Sequence, residues 1–264
     1  MMRPEDIEKF RSAANAPGPL LIATDLDGTL APIVERASDA RVPSSVLAVL
    51  DRLAGAPGVK VAVITGRDLN TARRMVPCEG VVVAGSHGLE STLEDDVLLP
   101  VNRGALAAAL EAAEQQVITA VPSAYLHIER KAISTAFHFR RAPELEPSLR
   151  AALKALPPGL RLREGRMVLE VLPDADGGKD RALAALAKHF AIRSLITLGD
   201  DATDVSMFRV ALKLREVGGV ATLVAGISGG AETPPEIEAL SDVLLRSTDE
   251  ALEALETVAR SLGV

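Results

Sequence analysis

Short apolar segments alternate with amphipathic segments along most of the chain, and this alternation constrains the fold more than any other feature of the sequence. The apolar segments have the length of strands buried on both faces, whereas the amphipathic segments carry apolar residues at helical spacing. Strands that alternate with helices are typical of a parallel sheet in an α/β fold. The predicted strands of this Rossmann-like sheet are residues 20–23, 59–64, 80–84, 194–198 and 220–225. The predicted helices begin at residues 43–45, near Asp68, at Lys179 and at a capping box of residues 247–250.

The order of elements differs in the middle of the chain. A predicted helix at residues 102–121 precedes two strand-like segments, and a second helix near residues 145–156 precedes two more. This order indicates a smaller α/β domain inserted into the larger one. We therefore predict an inserted domain of residues 101–172 and a core domain of residues 1–100 and 173–264.

The composition argues against several classes of protein. No apolar stretch approaches the roughly 18 residues needed to cross a bilayer, and the first residues lack the apolar segment of a signal peptide. The single cysteine, Cys78, cannot form an intrachain disulfide or a thiolate zinc site. A net charge of −7 and few aromatic residues disfavour binding to nucleic acid. We expect a cytoplasmic monomer without a membrane or nucleic-acid partner, which binds anions through local positive charge.

Two aspartates follow the first predicted strand. Asp25 and Asp27 flank Leu26 and precede Gly28. In an open α/β sheet, ligands bind at the carboxyl ends of the strands. Alternate residues of an extended backbone point to the same side, so these carboxylates would repel each other unless a cation compensates them. Magnesium favours such oxygen ligands, although the pair would also fit an Asx turn at the end of a strand.

A second acidic segment follows the fourth predicted strand. It contains Asp200, Asp201 and Asp204 and leads into a helix. Taken alone, this segment is better explained as a helix N-cap with favourable charge at the helix dipole. Together with Asp25 and Asp27, it supplies the carboxylates of a magnesium site built from separate parts of the chain.

Two further polar segments suit the binding of a phosphate group. Thr65 and Arg67 follow the second predicted strand and provide a hydroxyl and a guanidinium. Lys179 opens a helix after two glycines, where an ammonium and free N–H groups favour an anion. Taken alone, each of these residues is explained at least as well by turn chemistry or by a solvated charge.

The order of these segments resembles the four motifs of the haloacid dehalogenase superfamily of phosphatases. The matching segments are residues 25–29, Thr65, Lys179 and residues 199–204. The predicted insertion resembles the C2-type α/β cap domain of that superfamily. Within the superfamily, the chain is most similar to the trehalose-6-phosphate phosphatase family. The segments that carry this second resemblance are residues 27–33, 85–90, 129–131, 138–140, 169–171 with Pro173, and 199–204.

The resemblance implies a two-step hydrolysis of trehalose 6-phosphate to trehalose and phosphate. Asp25 is expected to attack the phosphorus and form an aspartyl-phosphate. Asp27 is expected to protonate the departing sugar oxygen and then to take a proton from the hydrolytic water. Thr65 and Lys179 are expected to hold the transferring phosphoryl group.

The resemblance also implies a magnesium ion at the site. Its expected ligands are Asp25, the carbonyl of Asp27, and Asp200. Asp204 is assigned to the same metal site, and the sequence leaves open whether Asp201 or Asp204 contacts the ion directly or acts through water. The ion would neutralise charge between the nucleophile and the phosphate.

The inserted domain is expected to recognise the sugar and to close over it. Along the strand near residue 138, period two places His138 and Arg140 on one face. Glu170 interrupts an apolar segment, and a carboxylate there needs a partner. The predicted substrate-binding residues are Arg67, His87, Glu129, Lys131, His138, Arg140 and Glu170. The same pattern would also fit a solvated sheet face with cross-strand ion pairs.

Three other functions are compatible with the sequence. The first is another sugar phosphatase of the superfamily, acting on sucrose phosphate or glucosyl-phosphoglycerate. The second is a non-catalytic regulatory partner of a trehalose-phosphate synthase, which could lose its catalytic carboxylates without penalty. The third is a phosphomutase, which would yield a phosphorylated sugar. The presence of Asp25, Asp27, Lys179 and Asp200 favours catalysis over a regulatory role.

Overall fold

The chain divides into two compact units. The computed structural model describes residues 1–93, 97–98, 102–122, 124–165, 167–175, 178–229 and 233–264. The core unit comprises residues 1–98 and 177–264, and the inserted unit comprises residues 99–176. The inserted unit is predicted to end at residue 172, whereas its last strand ends at Pro173 and the unit itself ends at residue 176.

Strands and helices alternate over most of the described residues. The strands are β1 (Leu20–Thr24), β2 (Val59–Ile64), β3 (Val81–Gly85), β4 (Glu90–Ser91), β5 (His127–Arg130), β6 (Thr135–His138), β7 (Leu160–Gly165), β8 (Val168–Pro173), β9 (Ser194–Gly199), β10 (Ala221–Ile227) and β11 (Val243–Leu245). The helices are α1 (Pro4–Ala14), α2 (Ser44–Gly55), α3 (Leu69–Met75), α4 (Arg103–Ala120), α5 (Glu146–Ala152), α6 (Lys179–His189), α7 (Ala202–Gly218), α8 (Pro235–Leu240) and α9 (Thr248–Leu262).

A mainly parallel sheet forms the centre of the core unit. Its strand order is β11-β10-β9-β1-β2-β3-β4, and each neighbouring pair is parallel except β3 and β4. β1 lies in the middle, with Thr24 opposite Val63 of β2 on one side and Leu198 of β9 on the other. The predicted parallel α/β fold is therefore confirmed, and the carboxyl ends of β1, β2 and β9 meet at one edge of the sheet.

The core unit buries apolar residues on both faces of this sheet. Along β1, Leu20 and Ile22 join a cluster with residues of α1, α2 and α9. Leu21 and Ala23 join a second cluster with residues of α6 and α7. Successive side chains of a strand point to opposite faces, so a central parallel strand must be apolar throughout. This requirement explains why residues 20–23 of β1 form one uninterrupted apolar segment.

The inserted unit contains an antiparallel sheet of order β5-β6-β8-β7. One face is apolar and includes the buried residues Phe137, Leu169 and Val171, and α4 contacts β8. The register places Ala136 of the other face opposite both Glu129 and Glu170. This second face is polar, in agreement with the period-two pattern of the sequence.

Several elements differ from the sequence prediction. Helix α1 is absent from the prediction because it buries only Asp6, Phe10 and Ala14, too narrow an apolar stripe to stand out from its charged residues. The strand predicted near residue 138 is restricted to the four residues of β6, since a turn with a hydrogen bond from Lys131 N to Ser134 O precedes it. None of the helices in the described part of the chain is long and apolar enough to cross a membrane.

Candidate active site

The segment after β1 makes a tight turn against Asp200. Asp25 N donates a hydrogen bond to Leu198 O at 3.0 Å, which extends the pairing of β1 with β9 by one residue. Gly28 then adopts a φ of 82°, and a Cβ atom at this position would lie 2.0 Å from a carboxylate oxygen of Asp200. Only glycine combines this left-handed conformation with such a close approach. The hydroxyl of the buried Thr29 donates to Asp200 Oδ1 at 3.1 Å. The sequence does not predict this role for Thr29.

The segment after β9 is organised around the fully buried carboxylate of Asp204. Its Oδ2 accepts hydrogen bonds from the backbone N–H groups of Asp200 and Asp201 at 3.0 and 3.1 Å. Asp201 caps α7 and forms a reciprocal capping box with Asp204. A Cβ atom at Gly199 would lie 2.4 Å from Asp204 Cγ, so glycine is needed where the segment wraps this side chain. The same residues thus cap a helix and fix the position of Asp200.

Lys179 joins the two acidic segments. Its side chain is 2% exposed, and its ammonium donates to Asp25 Oδ1 at 2.5 Å and to Asp204 Oδ1 at 2.8 Å. Burial opposes the charge of the ammonium, but Asp25 and Asp204 together hold the pKa of Lys179 above its ordinary value. The first turn of α6 therefore places a cation beside the predicted nucleophile.

The carboxylates of this site carry more negative charge than one lysine can compensate. Asp25, Asp200 and Asp204 each place one carboxylate oxygen within 4.8 Å of the other two. Burial raises the pKa of Asp25 to about 7 against the effect of Lys179, and burial together with Asp204 raises the pKa of Asp200 to about 6. Burial and the charge of Asp25 also raise the pKa of Asp204. Three clustered oxygen ligands with elevated pKa values fit a hard divalent cation.

Thr65 and Arg67 lie at the end of β2. Thr65 is buried, and its backbone N–H donates to Ala84 O at 2.9 Å. Arg67 N donates to Thr65 Oγ1 at 3.2 Å. The guanidinium of Arg67 binds both carboxylate oxygens of Asp27 at 2.6 Å each. From the sequence, Arg67 is expected to bind phosphate or substrate, whereas in this structure it pairs with Asp27, the predicted acid and base.

His87 occupies a strained turn after β3. Ser86 and His87 have positive φ values of 50° and 56°, a conformation that costs non-glycine residues of order 1–3 kcal/mol each when surrounding contacts impose it. The contacts here are a bond from His87 N to Thr65 O at 2.8 Å and one from Ser86 Oγ to Glu90 at 2.5 Å. These contacts hold His87 next to Thr65.

One cavity of about 490 Å³ brings most of the predicted core residues together. Ile33 and Val34, both exposed, also line it. Asp204 is completely buried behind Lys179 and Asp200. The predicted site residues that line the cavity are Asp25, Asp27, Thr65, Arg67, His87, Lys179 and Asp200.

The predicted residues of the inserted unit form a separate cluster on its polar sheet face. Glu170 accepts hydrogen bonds from Ser134 at 2.7 Å, from Lys131 at 3.2 Å and from Arg163 Nε at 3.1 Å. Burial raises the pKa of Glu170, but these donors outweigh it and hold the pKa below its ordinary value. A carboxylate with this many donors is charged at neutral pH.

His138 belongs to the same face. Its Nε2 lies 2.9 Å from Glu129 Oε2, and Lys131 Nζ lies 4.0 Å from the same glutamate oxygen. Arg140 is exposed just beyond the end of β6. The face is thus a set of cross-strand charge pairs that offers both donors and acceptors to a polar ligand.

Comparisons with known proteins connect this geometry to one family. A family model described as trehalose-phosphatase matches residues 23–236. A protein of Sinorhizobium fredii named "probable trehalose-phosphate phosphatase" is 36% identical over 197 residues, which cover 72% of this chain and 73% of that protein. A trehalose-phosphate phosphatase of Mycobacterium marinum is 34% identical over 70% of this chain but only 49% of its own length, so this chain spans about half of that relative.

A solved structure extends the comparison to the fold. The trehalose-6-phosphate phosphatase of Aspergillus fumigatus matches over 97% of this chain and 98% of its own, with a TM-score of 0.61. The identity is 21%, so this likeness bears on the fold and not on the reaction.

Proposed function

The chain belongs to the trehalose-phosphatase family, and on this premise we propose that it hydrolyses trehalose 6-phosphate to trehalose and inorganic phosphate. The observation that carries the proposal is the meeting of Asp25, Lys179, Asp200 and Asp204 at the carboxyl ends of β1 and β9 and the first turn of α6. A phosphate ester needs such an arrangement, because its negative charge must be neutralised before an anionic nucleophile can approach it.

The first chemical step uses the two aspartates of the turn after β1. A carboxylate oxygen of Asp25 bonds to the phosphorus while the bond from phosphorus to the sugar oxygen breaks. Asp27, protonated when the substrate binds, delivers this proton to the sugar oxygen, so the sugar leaves as a neutral alcohol. Lys179 and Thr65 line the same cavity, and in the proposed mechanism the ammonium of Lys179 and the hydroxyl of Thr65 hold the phosphoryl oxygens.

The second step returns the enzyme to its starting state. A water molecule attacks the phosphorus of the aspartyl-phosphate, and Asp27 accepts a proton from this water. The bond between Asp25 and phosphorus breaks, and inorganic phosphate is released. Lys179 then pairs again with the free carboxylate of Asp25 at the distance seen here.

Magnesium is the cation that we propose for the acidic cluster. Asp25 and Asp200, with the carbonyl of Asp27, would hold the ion. Asp204 would orient Asp200, because its carboxylate accepts a hydrogen bond from the backbone N–H of Asp200. When bound, the ion supplies positive charge beside the phosphoryl group. The raised pKa values of Asp25 and Asp200 support this assignment, since a cation would remove the cost of burying their charge.

The polar face of the inserted unit is the proposed determinant of sugar specificity. Its residues Glu129, Lys131, His138 and Glu170 offer charged donors and acceptors within one sheet face. A disaccharide presents many hydroxyl groups, each of which donates and accepts hydrogen bonds.

We also propose that the protein acts as a cytoplasmic monomer without nucleic acid, which analytical ultracentrifugation and cell fractionation would test.

A panel of phosphate esters tests the proposed activity. Phosphate release would be measured from trehalose 6-phosphate, sucrose phosphate, glucosyl-phosphoglycerate and glucose 6-phosphate, each with magnesium and with a chelator. We expect trehalose 6-phosphate to have the highest kcat/KM and the chelator to abolish release. A different leading ester would replace the substrate, and a phosphorylated sugar product would indicate a mutase.

The variant Asp25→Asn is the matched control for this panel. It keeps the size of the side chain and removes the nucleophile, so we expect kcat to fall by about 10³-fold or more. The fold should survive, because the variant removes a buried charge whose pKa is already raised by burial. Retained phosphate release in this variant would contradict the aspartyl-phosphate mechanism, and release by neither protein would favour a regulatory role.

A further inference from the structure

The pairing of Arg67 with Asp27 connects the ends of β2 and β1. Arg67 Nε and Nη2 each lie 2.6 Å from a different oxygen of the Asp27 carboxylate. This is the parallel, two-bond geometry that arginine forms with carboxylates. The side chains are 17% and 37% exposed, respectively, so the pair is more sheltered than a surface ion pair.

The backbones of both partners are fixed independently of the pair. Arg67 N donates to Thr65 Oγ1 at 3.2 Å, and Arg67 O accepts from Ser86 N at 2.7 Å. Asp27 forms a bridge with Ala31 across the turn that contains Gly28. Because both backbones are already fixed, the two side chains lose little further conformational freedom when they pair. Such a pair keeps one geometry.

We propose that Arg67 is the positioning residue of Asp27, which deepens the proposed function and rests on it. The two hydrogen bonds hold the carboxyl group in one orientation on the wall of the cavity that also contains Asp25. The planar guanidinium fixes the plane of the carboxyl group, and it keeps its bond to one oxygen while the other oxygen carries the proton that passes to the leaving oxygen and is taken back from water. Arg67 therefore acts through Asp27 and not through the phosphate or the sugar.

Leaving-group dependence separates this role from its alternatives. A poor leaving group needs a proton as its bond to phosphorus breaks, whereas 4-nitrophenolate leaves well without one. If Asp27 is no longer held in position, the decrease in kcat/KM must therefore become larger as the leaving group becomes more basic. Loss of a phosphate contact would instead be uniform across all esters, and loss of a sugar contact would not affect aryl esters.

The experiment compares kcat/KM for a series of aryl phosphates from 4-nitrophenyl phosphate to phenyl phosphate, and for trehalose 6-phosphate. The variants are Arg67→Met, Arg67→Lys, Asp27→Asn and the double variant Arg67→Met/Asp27→Asn. Arg73→Met is the matched control, because Arg73 is an exposed arginine of the neighbouring helix α3. Thermal unfolding of each variant verifies that it is folded.

We expect Arg67→Met to lower kcat/KM by about 10-fold or more for phenyl phosphate and trehalose 6-phosphate, and by less than about 3-fold for 4-nitrophenyl phosphate. Arg67→Lys should show the same gradient, because an ammonium keeps the charge but cannot bind both oxygens in parallel. In the background of Asp27→Asn, removal of Arg67 should have little further effect, since the two residues act as one unit. Arg73→Met should match the wild type.

Three results would overturn the inference. They are a uniform loss across the aryl series, full activity of Arg67→Lys, and additive losses in the double variant. If the wild type hydrolyses aryl phosphates with the expected gradients but prefers another sugar phosphate, the proposed substrate fails and the role of Arg67 stands. A wild type that hydrolyses none of these esters would overturn both.

Discussion

The ammonium of Lys179 lies 2.5 Å from the carboxylate of Asp25, although the two residues are 154 positions apart in the sequence. The same ammonium lies 2.8 Å from Asp204. A buried ammonium is tolerated only with such partners, and each buried carboxylate in turn depends on it. The contact therefore links the proposed nucleophile to the acidic segment that would hold a metal ion.

Removal of the lysine charge should destabilise the fold. Lys179→Met leaves the buried carboxylates of Asp25 and Asp204 without their common partner, which we expect to cost about 3 kcal/mol in the free energy of unfolding. Urea denaturation in the presence of a chelator measures this cost. Adding Asp204→Asn should recover part of it, and Lys188→Met, an exposed lysine of the same helix, is the control. A stability of Lys179→Met equal to that of the wild type would contradict the electrostatic account.

Magnesium should stabilise the folded chain. The proposed cation would bind the acidic cluster of the native state and not the unfolded chain, so it should add about 2.7 kcal/mol at a concentration 100 times its Kd. The measurement is the increase of Tm with magnesium concentration. Asp200→Asn should remove most of this increase, while Asp249→Asn, on the first turn of α9, should leave it unchanged. An increase that survives Asp200→Asn would place the ion elsewhere.

His138 should affect the sugar substrate more than a small ester. His138→Ala removes the partner of Glu129 on the polar face of the inserted unit, so we expect KM for trehalose 6-phosphate to rise by about 10-fold, the value of one lost hydrogen bond near a charged group. Hydrolysis of 4-nitrophenyl phosphate should change little. His189→Ala, at an exposed histidine of α6, is the control. Equal losses with both substrates would remove His138 from sugar recognition.

Acid should destabilise the protein partly through Glu250. The side chain and backbone of Arg246 lower the pKa of Glu250 from 4.5 to about 2. The unfolded chain therefore binds a proton at Glu250 before the native state does, so this stabilisation is complete above pH 4.5 and is lost as the pH falls toward about 2.

The variant Glu250→Gln isolates this contribution. It should be less stable than the wild type at pH 6, and the difference between the two should shrink steadily below pH 4.5. Denaturation curves at a series of pH values measure the difference. Glu236→Gln, at an exposed glutamate of α8, is the control. A difference that does not depend on pH would indicate lost packing instead of lost charge.

Local sequence patterns were sufficient to predict the main strands and helices of the core unit. The apolar segments of β1, β2 and β9 are detectable because a central parallel strand is buried on both faces. The caps were less predictable. Residues 247–250 have the pattern of a reciprocal capping box, and Ser247 does accept from Glu250 N, but the carboxylate of Glu250 binds Arg246 instead. The sequence pattern alone does not indicate which of several donors will bind a given carboxylate.

The candidate site also contains features that the sequence predicts and features that it does not. The acidic segments are visible in the sequence because each follows a buried strand, and the carboxyl ends of parallel strands meet at one edge of a sheet. The bond from Thr29 to Asp200 is not visible, since any hydroxyl of the turn could have pointed to solvent. The motif that contains Thr29 is the only sequence signal for it.

Residue order and hydrophobic period were therefore enough to establish the α/β fold and to place Asp25, Asp27 and Asp200 at strand ends, because these properties depend on neighbours along the chain. The folded arrangement alone settles that Lys179 joins Asp25 to Asp204 and that Arg67 binds Asp27. These contacts depend on burial, on rotamers and on competing partners from distant segments. These conditions exist only once the chain has folded, since burial excludes water and makes a charge without a protein partner costly.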